Sequence, residues 1–441
     1  MDQDLRLQRT YYEIFVFSTI ICFSPLPKAV IFFLPFSAIF WYLKNNPKIY
    51  SFARLVIFFI SLIGYVIIYY FIRERDFFFL NVTLGVLFYS SFIFLFVAKA
   101  PRMLNMDYFN KKYIPFIKWV IIIESWIGIL QIIFVGKGFD LASGDYVQGT
   151  INLFSFNNNE VGFSNVYFVI NLTILLLAYY MLALRKNKWV LLFGFSAILL
   201  ASAIHLSLSV IAAMFGTYLL LNTVKAIKFL IPVLVFFVLL FVVTPRNFSS
   251  ISGYKKQIVE SENLKMKSSI KTFTALLDSP KDFFLGYGLG QYSSRSSLVL
   301  SGNYFYDKTT KKFKVPLGIR NETKIFEKNL KFFWIESITN EGYGFSVMNK
   351  PVYSLLSLVS ELGLILFSFI FLLVAVFVTN LSIRYKAEKE QILKKKNLFI
   401  LLLSFFLVGI SFFENYLEMA QAIFPGLILL KVLYHKPKKP I

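Results

Sequence analysis

The feature that most limits what this 441-residue chain can become is a series of apolar runs, many approaching 20 residues. As helices, runs of that length cross the hydrocarbon of a bilayer. Lipid offers no water to backbone N–H and C=O groups, which leaves helices or a closed barrel. The runs are continuous and lack the alternation of barrel strands, so they are expected to be helices. Charged residues make up 16% of the chain and hydrophobic ones 57%, whereas soluble domains carry about 25% charged residues. The expected fold class is an all-α polytopic membrane protein.

Spans are expected at about 11–24, 29–43, 52–72, 77–98, 114–135, 164–184, 189–204, 208–224, 229–244, 352–380, 398–413 and 419–434, twelve in all. The first two are short and hinge at Ser24-Pro25-Leu26-Pro27, as two thin helices or one broken one. Threading from a cytoplasmic N-terminus puts 22 Lys and Arg on the short inner segments and four on the short outer ones. That is the positive-inside asymmetry, and it places both termini inside. Residues 1–441 are therefore expected to form one membrane domain, with 245–350 inserted as a large external loop. Over 245–351 the chain has 17 basic and nine acidic residues, and long loops translocate largely regardless of charge. The excess of basic residues reads as topology, not as nucleic-acid binding.

Loops of this length usually carry function. A basic surface beside a bilayer suits either anionic head groups or a lipid-linked diphosphate. Arginine grips phosphate best, because its planar fork pairs two oxygens. The loop has three: Arg246, Arg295 and Arg320. Arg295 follows Gly286-Tyr287-Gly288-Leu289-Gly290, which suits backbone amides approaching an anion or, equally, a tight turn. Helix 264–277 reads as amphipathic, lying on the membrane or on the bundle. Glu124 and Glu361 fall inside apolar spans, where an ionisable group serves either chemistry or a helix-to-helix hydrogen bond. Glu336, Glu341, Asp145 and Glu160 are loop carboxylates. His205 reads as a hydrogen-bonded packing residue before it reads as a base. Tyr287, Tyr292, Tyr304, Tyr306, Trp334 and Tyr343 suit sugar stacking and interfacial anchoring alike. One cysteine and two histidines leave no metal site of thiolate or imidazole type, and no nucleotide-binding loop is present.

The layout resembles the O-antigen polymerase and ligase superfamily of bacterial inner-membrane glycosyltransferases. The resemblance rests on about twelve helices, a short serine-rich hairpin and a large late external loop. Asn157-Asn158-Asn159-Glu160-Val161-Gly162 is similar to a family segment before a helix. Ser279-Pro280 followed by Gly286 to Tyr292 is similar to its proline-then-glycine motif. Leu355 to Gly363 resembles its re-entry helix. The chain departs from the family at Ser209-Val210, where a Ser-Arg pair is common, and in using Lys265, Lys267 and Lys271 where an arginine is common. The loop also lacks the histidine typical of ligases, which favours a polymerase.

The resemblance implies a GT-C-like glycosyltransferase fold. It implies transfer of a growing glycan from undecaprenyl diphosphate to a newly arrived lipid-linked repeat unit, without metal or cofactor. The diphosphate is expected on Arg295, Arg320 and Arg246 with Lys267 and Lys271. Glu341 or Glu361 is expected as the base, Glu341 preferred for its place on the loop. Tyr287, Tyr292, Asn157 and Asn159 are expected to bind substrate. The implied partners are the lipid-linked oligosaccharide, the bilayer, a chain-length regulator and a flippase. The implied location is the bacterial inner membrane, with the large loop periplasmic. The rivals are an O-antigen ligase, a lipid-linked oligosaccharide flippase and a solute transporter.

Overall fold

The computed structural model describes residues 2–46, 49–73, 76–101, 104–134, 146–153, 164–201, 203–243, 263–307, 310–315, 318–340 and 349–434. The chain is mostly helical, and every expected span falls on a helix. Five helices are long and apolar enough to cross a membrane: Tyr50–Ile72, Met106–Phe134, Asn165–Leu182, Ile204–Leu221 and Ser354–Ala387. The bent pair Phe79–Phe88 and Ser90–Val97, at 65°, makes a sixth if it is one span. This is the architecture of an α-helical membrane protein, with fewer qualifying helices than the twelve expected. Part of the shortfall is one of length, although Asp2–Cys22, Thr223–Val243 and Gln391–Ile410 are 20 or 21 residues long and do not qualify either. Lys188–Leu200 has 13 residues and Ala420–Leu433 has 14, against the ~20 that a full crossing needs. The second expected span is broken into Lys28–Ile31 and Leu34–Asn45, just after Pro25 and Pro27.

Position in the bundle follows from composition. Tyr50–Ile72 and Ser354–Ala387 turn apolar side chains outward along most of their length, the surface that lipid would cover. Asn165–Leu182 and Ala420–Leu433 are instead almost wholly buried at the centre. Apolar packing gives little preference among helices in lipid, so buried amides tie the centre together. Asn171 donates to the Gln421 carbonyl at 2.6 Å, and Gln421 donates to the Cys22 carbonyl at 3.1 Å.

The connections sort to two ends. At one, Tyr11 donates to the Lys99 carbonyl at 2.7 Å, the Lys99 amide donates to Tyr42, and Arg384 lies over Tyr434. At the other, segments around Phe23, Arg73, Thr150, His205, Lys265, Arg295 and Glu414 meet. These are the segments that the charge threading assigns to opposite sides.

The long polar stretch is a folded unit over its described residues. It carries helices Leu264–Leu277, Pro280–Leu285, Arg295–Leu300, Lys324–Asn329 and Lys331–Thr339. A small antiparallel hairpin pairs Phe305–Asp307 with Lys312–Lys314, the one departure from an all-helical fold among the described residues. Its starts are signalled locally. Asn263, Ser279 and Thr323 each accept a backbone N–H of the first helical turn, and Pro280 occupies the first turn of its helix. Leu276, Tyr287, Tyr292, Leu298, Phe326, Leu330, Trp334 and Val352 give this unit its own core. Helix Leu264–Leu277 buries Leu264, Lys265, Ser268, Thr272 and Leu276 against that unit and the bundle.

Candidate functional site

The site is built on a helix with a break in it. Ser354–Ala387 contains Gly363 at φ 68°, ψ 175°, a conformation that only glycine adopts without strain. The glycine turn wraps this kink. The Tyr287 amide donates to the Ser360 carbonyl at 2.8 Å, and Gly288 donates to the Glu361 carbonyl at 2.9 Å. The Glu361 carboxylate is buried and accepts four backbone N–H groups, from Gly290 at 2.7 Å, Tyr292 and Ser293 at 3.0 Å, and Ser294 at 2.9 Å. Three of these amides bond Oε1 and one bonds Oε2, so the carboxylate is committed to the backbone of the turn. Glu361, one of the two residues expected as the base, orders the turn through these bonds.

What the turn delivers is Arg295. Its amide donates to the Glu418 carboxylate at 2.6 Å, and Glu418 also accepts from Tyr89 at 3.3 Å. Burial first, and the charge of Glu361 second, push Glu418 up to about 8. The Arg295 guanidinium donates to the Tyr304 hydroxyl and sits 5.5 Å over that ring. Burial disfavours its charge, but Tyr304, Tyr167, Glu418 and Glu414 outweigh this and keep it cationic. Its Nε is buried without a hydrogen-bond partner among the described residues.

Opposite Arg295 lies the connector Ser411 to Glu418, anchored to the kinked helix. Ser354 donates to the Glu414 carbonyl through its amide at 3.2 Å and its hydroxyl at 3.1 Å, and the Leu355 amide donates to Ser411 at 3.0 Å. Asn415 donates to the Ser293 carbonyl at 3.1 Å. The connector thereby presents the half-buried Glu414 within electrostatic reach of Arg295, Lys265 and Lys28. Among the described residues no donor is bonded to the Glu414 carboxylate, whereas those of Glu361, Glu418 and Glu124 are all occupied. Lys28 projects its ammonium 5.0 Å from the Tyr167 ring centroid. Lys265 is buried, donates to the carbonyls of Phe412 and Phe413, and lies 5.2 Å from the Tyr353 ring centroid.

Burial lowers Lys265 to about 7, with Glu414 opposing the shift. Its charge is therefore present below pH 7 and lost as pH rises through that value. If this charge holds an anionic substrate, kcat/KM falls as pH rises through about 7, because that parameter follows free-enzyme groups. Lys265→Arg, whose guanidinium stays charged, removes this limb of the profile. A pH profile identical in the two proteins would exclude Lys265 from substrate binding.

The remaining expected residues divide clearly. Arg320 is exposed and packs beside Gly302, in the turn after the hairpin. Lys267 and Lys271 lie on the exposed face of Leu264–Leu277, opposite the buried Lys265. Tyr292 is fully buried, with its hydroxyl bonded to Thr272 at 2.8 Å, and acts as a core residue. Tyr287 is also buried, 4.7 Å from Tyr292 ring to ring, and faces a different cavity. Arg246, Glu341, Asn157 and Asn159 lie outside the described residues, as do Asp145, Glu160 and Tyr343. His205 is buried and bonds the Tyr416 hydroxyl at 3.0 Å, the packing role expected first. Glu124 holds the Thr150 amide at 2.9 Å and is likewise structural.

Sequence reasoning missed Glu414, Glu418, Lys28 and Tyr167 as site residues. The signal for the first two was available: two carboxylates within five residues in a short outer connector between apolar runs. Among the described residues no three His, Cys, Asp or Glu side chains gather into a metal-binding group. The fold and site define a helical membrane protein with a cation-lined, carboxylate-bearing site at one end of its bundle. No family model, curated protein or solved structure matches the chain.

Proposed function

We propose that this chain is a membrane glycosyltransferase that polymerises undecaprenyl-diphosphate-linked oligosaccharide repeat units, as O-antigen polymerases do. The observation that carries this reading is the gathering of Arg295, Lys265 and Lys28 around Glu414, the carboxylate that no described donor engages. In this reading Glu414 takes the proton of the acceptor sugar hydroxyl. The hydroxyl oxygen then bonds the anomeric carbon of the donor glycan. The carbon–oxygen bond to the diphosphate breaks, and its electron pair leaves with undecaprenyl diphosphate. Arg295, Lys265 and Lys28 hold the charge that develops there, so no metal is required for charge balance. Tyr304, half-buried beside Arg295 and backed by the core residue Trp334 at 5.8 Å and 13°, offers a ring suited to a sugar face.

The finer layout belongs to the same proposal. It comprises a GT-C-like bundle of about twelve passes in the bacterial inner membrane, formed by residues 1–441, with termini cytoplasmic and the 245–350 loop periplasmic. A chain-length regulator and a flippase are the protein partners that this role calls for.

Deleting the gene is expected to collapse the surface-glycan ladder on a gel to a single repeat attached to the lipid core. Loss of all glycan from the core, with polymer on the carrier lipid, would mean a ligase instead. An unchanged ladder would return the solute-transporter reading. Within the site, Arg295→Ala is expected to cut extension about 100-fold or more with protein level unchanged. Arg320→Ala, at an exposed side chain, is expected to extend like the wild type. Equal activity of both variants would remove the diphosphate role from Arg295.

A further inference from the structure

The end of the bundle away from Glu414 carries a groove of about 560 Å³ where helices Met106–Phe134, Asn165–Leu182 and Lys188–Leu200 meet. Lys118, Trp119, Tyr179, Arg185, Lys186 and Lys188 line it, and no carboxylate is among the lining residues. Its shape is set by bonds that leave these cations out. The Asn187 amide donates to the Tyr179 hydroxyl at 3.0 Å, and the Asn187 side chain accepts the Trp189 amide at 2.9 Å, capping Lys188–Leu200. Arg185, Lys186 and Lys188 are exposed and Lys118 is half-buried, so the charge of the groove is open to a ligand.

That charge is not cancelled within the protein. Among the described residues none of the four cations is held in an ion pair. Lys186 lies 4.3 Å from the Tyr180 ring centroid. Partial burial first, and the like charge of Lys395 second, lower it from the usual lysine range. Glu388 and Glu390, the carboxylates nearest in the chain to Lys395, act instead on Lys396. The first turn of Lys188–Leu200 adds the partial positive charge of a helix N-terminus.

An apolar strip leads out of the groove. Trp119, Ile123, Trp126 and Leu130 recur every three to four residues along Met106–Phe134, and each is between 39% and 59% exposed. At 1.5 Å per residue they form one line roughly 16 Å long. Trp189, also exposed, stands beside Lys188, and tryptophans beside basic residues mark the level of lipid head groups. A soluble anion would use the cations and leave the strip idle, whereas a phospholipid uses both. A zwitterionic lipid brings its own ammonium, which four cations repel, so the lipid that fits carries net negative charge.

We propose that this groove binds an anionic phospholipid, its phosphate held among Lys118, Arg185, Lys186 and Lys188 and its acyl chains laid along the strip from Trp119 to Leu130. Helix Gln391–Ile410 runs roughly 20 Å from Lys395 to the connector that bears Glu414. The groove is thus a separate site, and its test reads lipid binding alone, so it holds or fails independently of the polymerase reading.

The test is tryptophan fluorescence of the purified full chain in phosphatidylcholine bilayers, with acyl-brominated phosphatidylglycerol or phosphatidylcholine as the minority quencher. Brominated phosphatidylglycerol is expected to quench more strongly at equal fraction. The preferential part of the quenching is expected to fall in Trp119→Phe/Trp126→Phe. Arg185→Gln is expected to lower the preference about fivefold, the share of one cation at a lipid surface. Lys118→Gln/Arg185→Gln/Lys188→Gln is expected to abolish it. Lys44→Gln, at an exposed lysine of the same end outside the groove, is expected to keep it. Equal quenching by the two lipids, or an unchanged preference in the double tryptophan variant, would overturn the proposal. A loss in Lys44→Gln as large as in Arg185→Gln would mean general surface charge and overturn the site. Inorganic phosphate that displaces phosphatidylglycerol where chloride of equal ionic strength does not would leave a plain anion site and overturn the lipid assignment.

Discussion

Glu414→Gln is expected to abolish glycan extension while leaving a folded, normally inserted protein. The amide keeps the size and hydrogen-bonding reach of the carboxylate but cannot take a proton, so the general-base contribution of roughly 10²–10⁴-fold is lost. No described donor is bonded to this side chain, so the fold loses nothing with it. The contact that anchors this stretch to Ser354 runs through the Glu414 backbone carbonyl and survives the substitution. The measurement is single-turnover transfer with a defined lipid-linked donor, beside a melting curve in detergent. Retained transfer at a tenth of wild-type rate or better would remove Glu414 from the chemistry. A collapsed melting curve would instead give it a structural role.

The kink at Gly363 is expected to produce the largest effects on folding. A Cβ on Gly363 would lie 2.2 Å from the Gly286 amide nitrogen, and a Cβ on Gly286 would lie 2.3 Å from that of Gly363. Two backbones approach here as only two glycines allow, each at positive φ. Alanine at either position adds about 1–3 kcal/mol of backbone strain on top of that clash. Glu361→Ala attacks the same joint differently, leaving four buried N–H groups without an acceptor. At about 1–3 kcal/mol for each unsatisfied group the loss is about 4 kcal/mol or more, a large part of a typical domain's stability. Gly363→Ala, Gly286→Ala and Glu361→Ala are each expected to lower the melting temperature sharply and reduce the monodisperse fraction in size-exclusion chromatography. A Glu361→Ala protein that is stable yet inactive would restore the catalytic role that its hydrogen bonds argue against.

These two expectations concern carboxylates that look alike in sequence. Glu361 sits in an apolar run, where an ionisable residue attracts a functional reading, whereas Glu414 sits in a short connector where a carboxylate is ordinarily solvated. Tertiary contacts reverse the two. Glu361 meets the amides of a turn some 70 positions earlier in the chain, and Glu414 meets cations from three distant segments. Lys265 and Lys267 show the same limit on one helix. Two positions of rotation put the first in the interior beside Phe413 and the second in solvent.

By itself the sequence determined that this is a helical membrane protein, because long apolar runs and backbone hydrogen bonding in lipid are local properties. It also marked the amphipathic helix over 264–277, Ser279-Pro280, Arg295 and the glycine turn, whose backbone demands are read residue by residue. The number of full-length spans was not legible. That depends on where helices end and break, as at Pro25 and Pro27 and after the 14 residues of Ala420–Leu433. Which carboxylate is free and which lysine is buried were decided only by the tertiary structure. Each is a statement about desolvation and hydrogen-bond competition among groups far apart in the chain, and no window of sequence contains both partners.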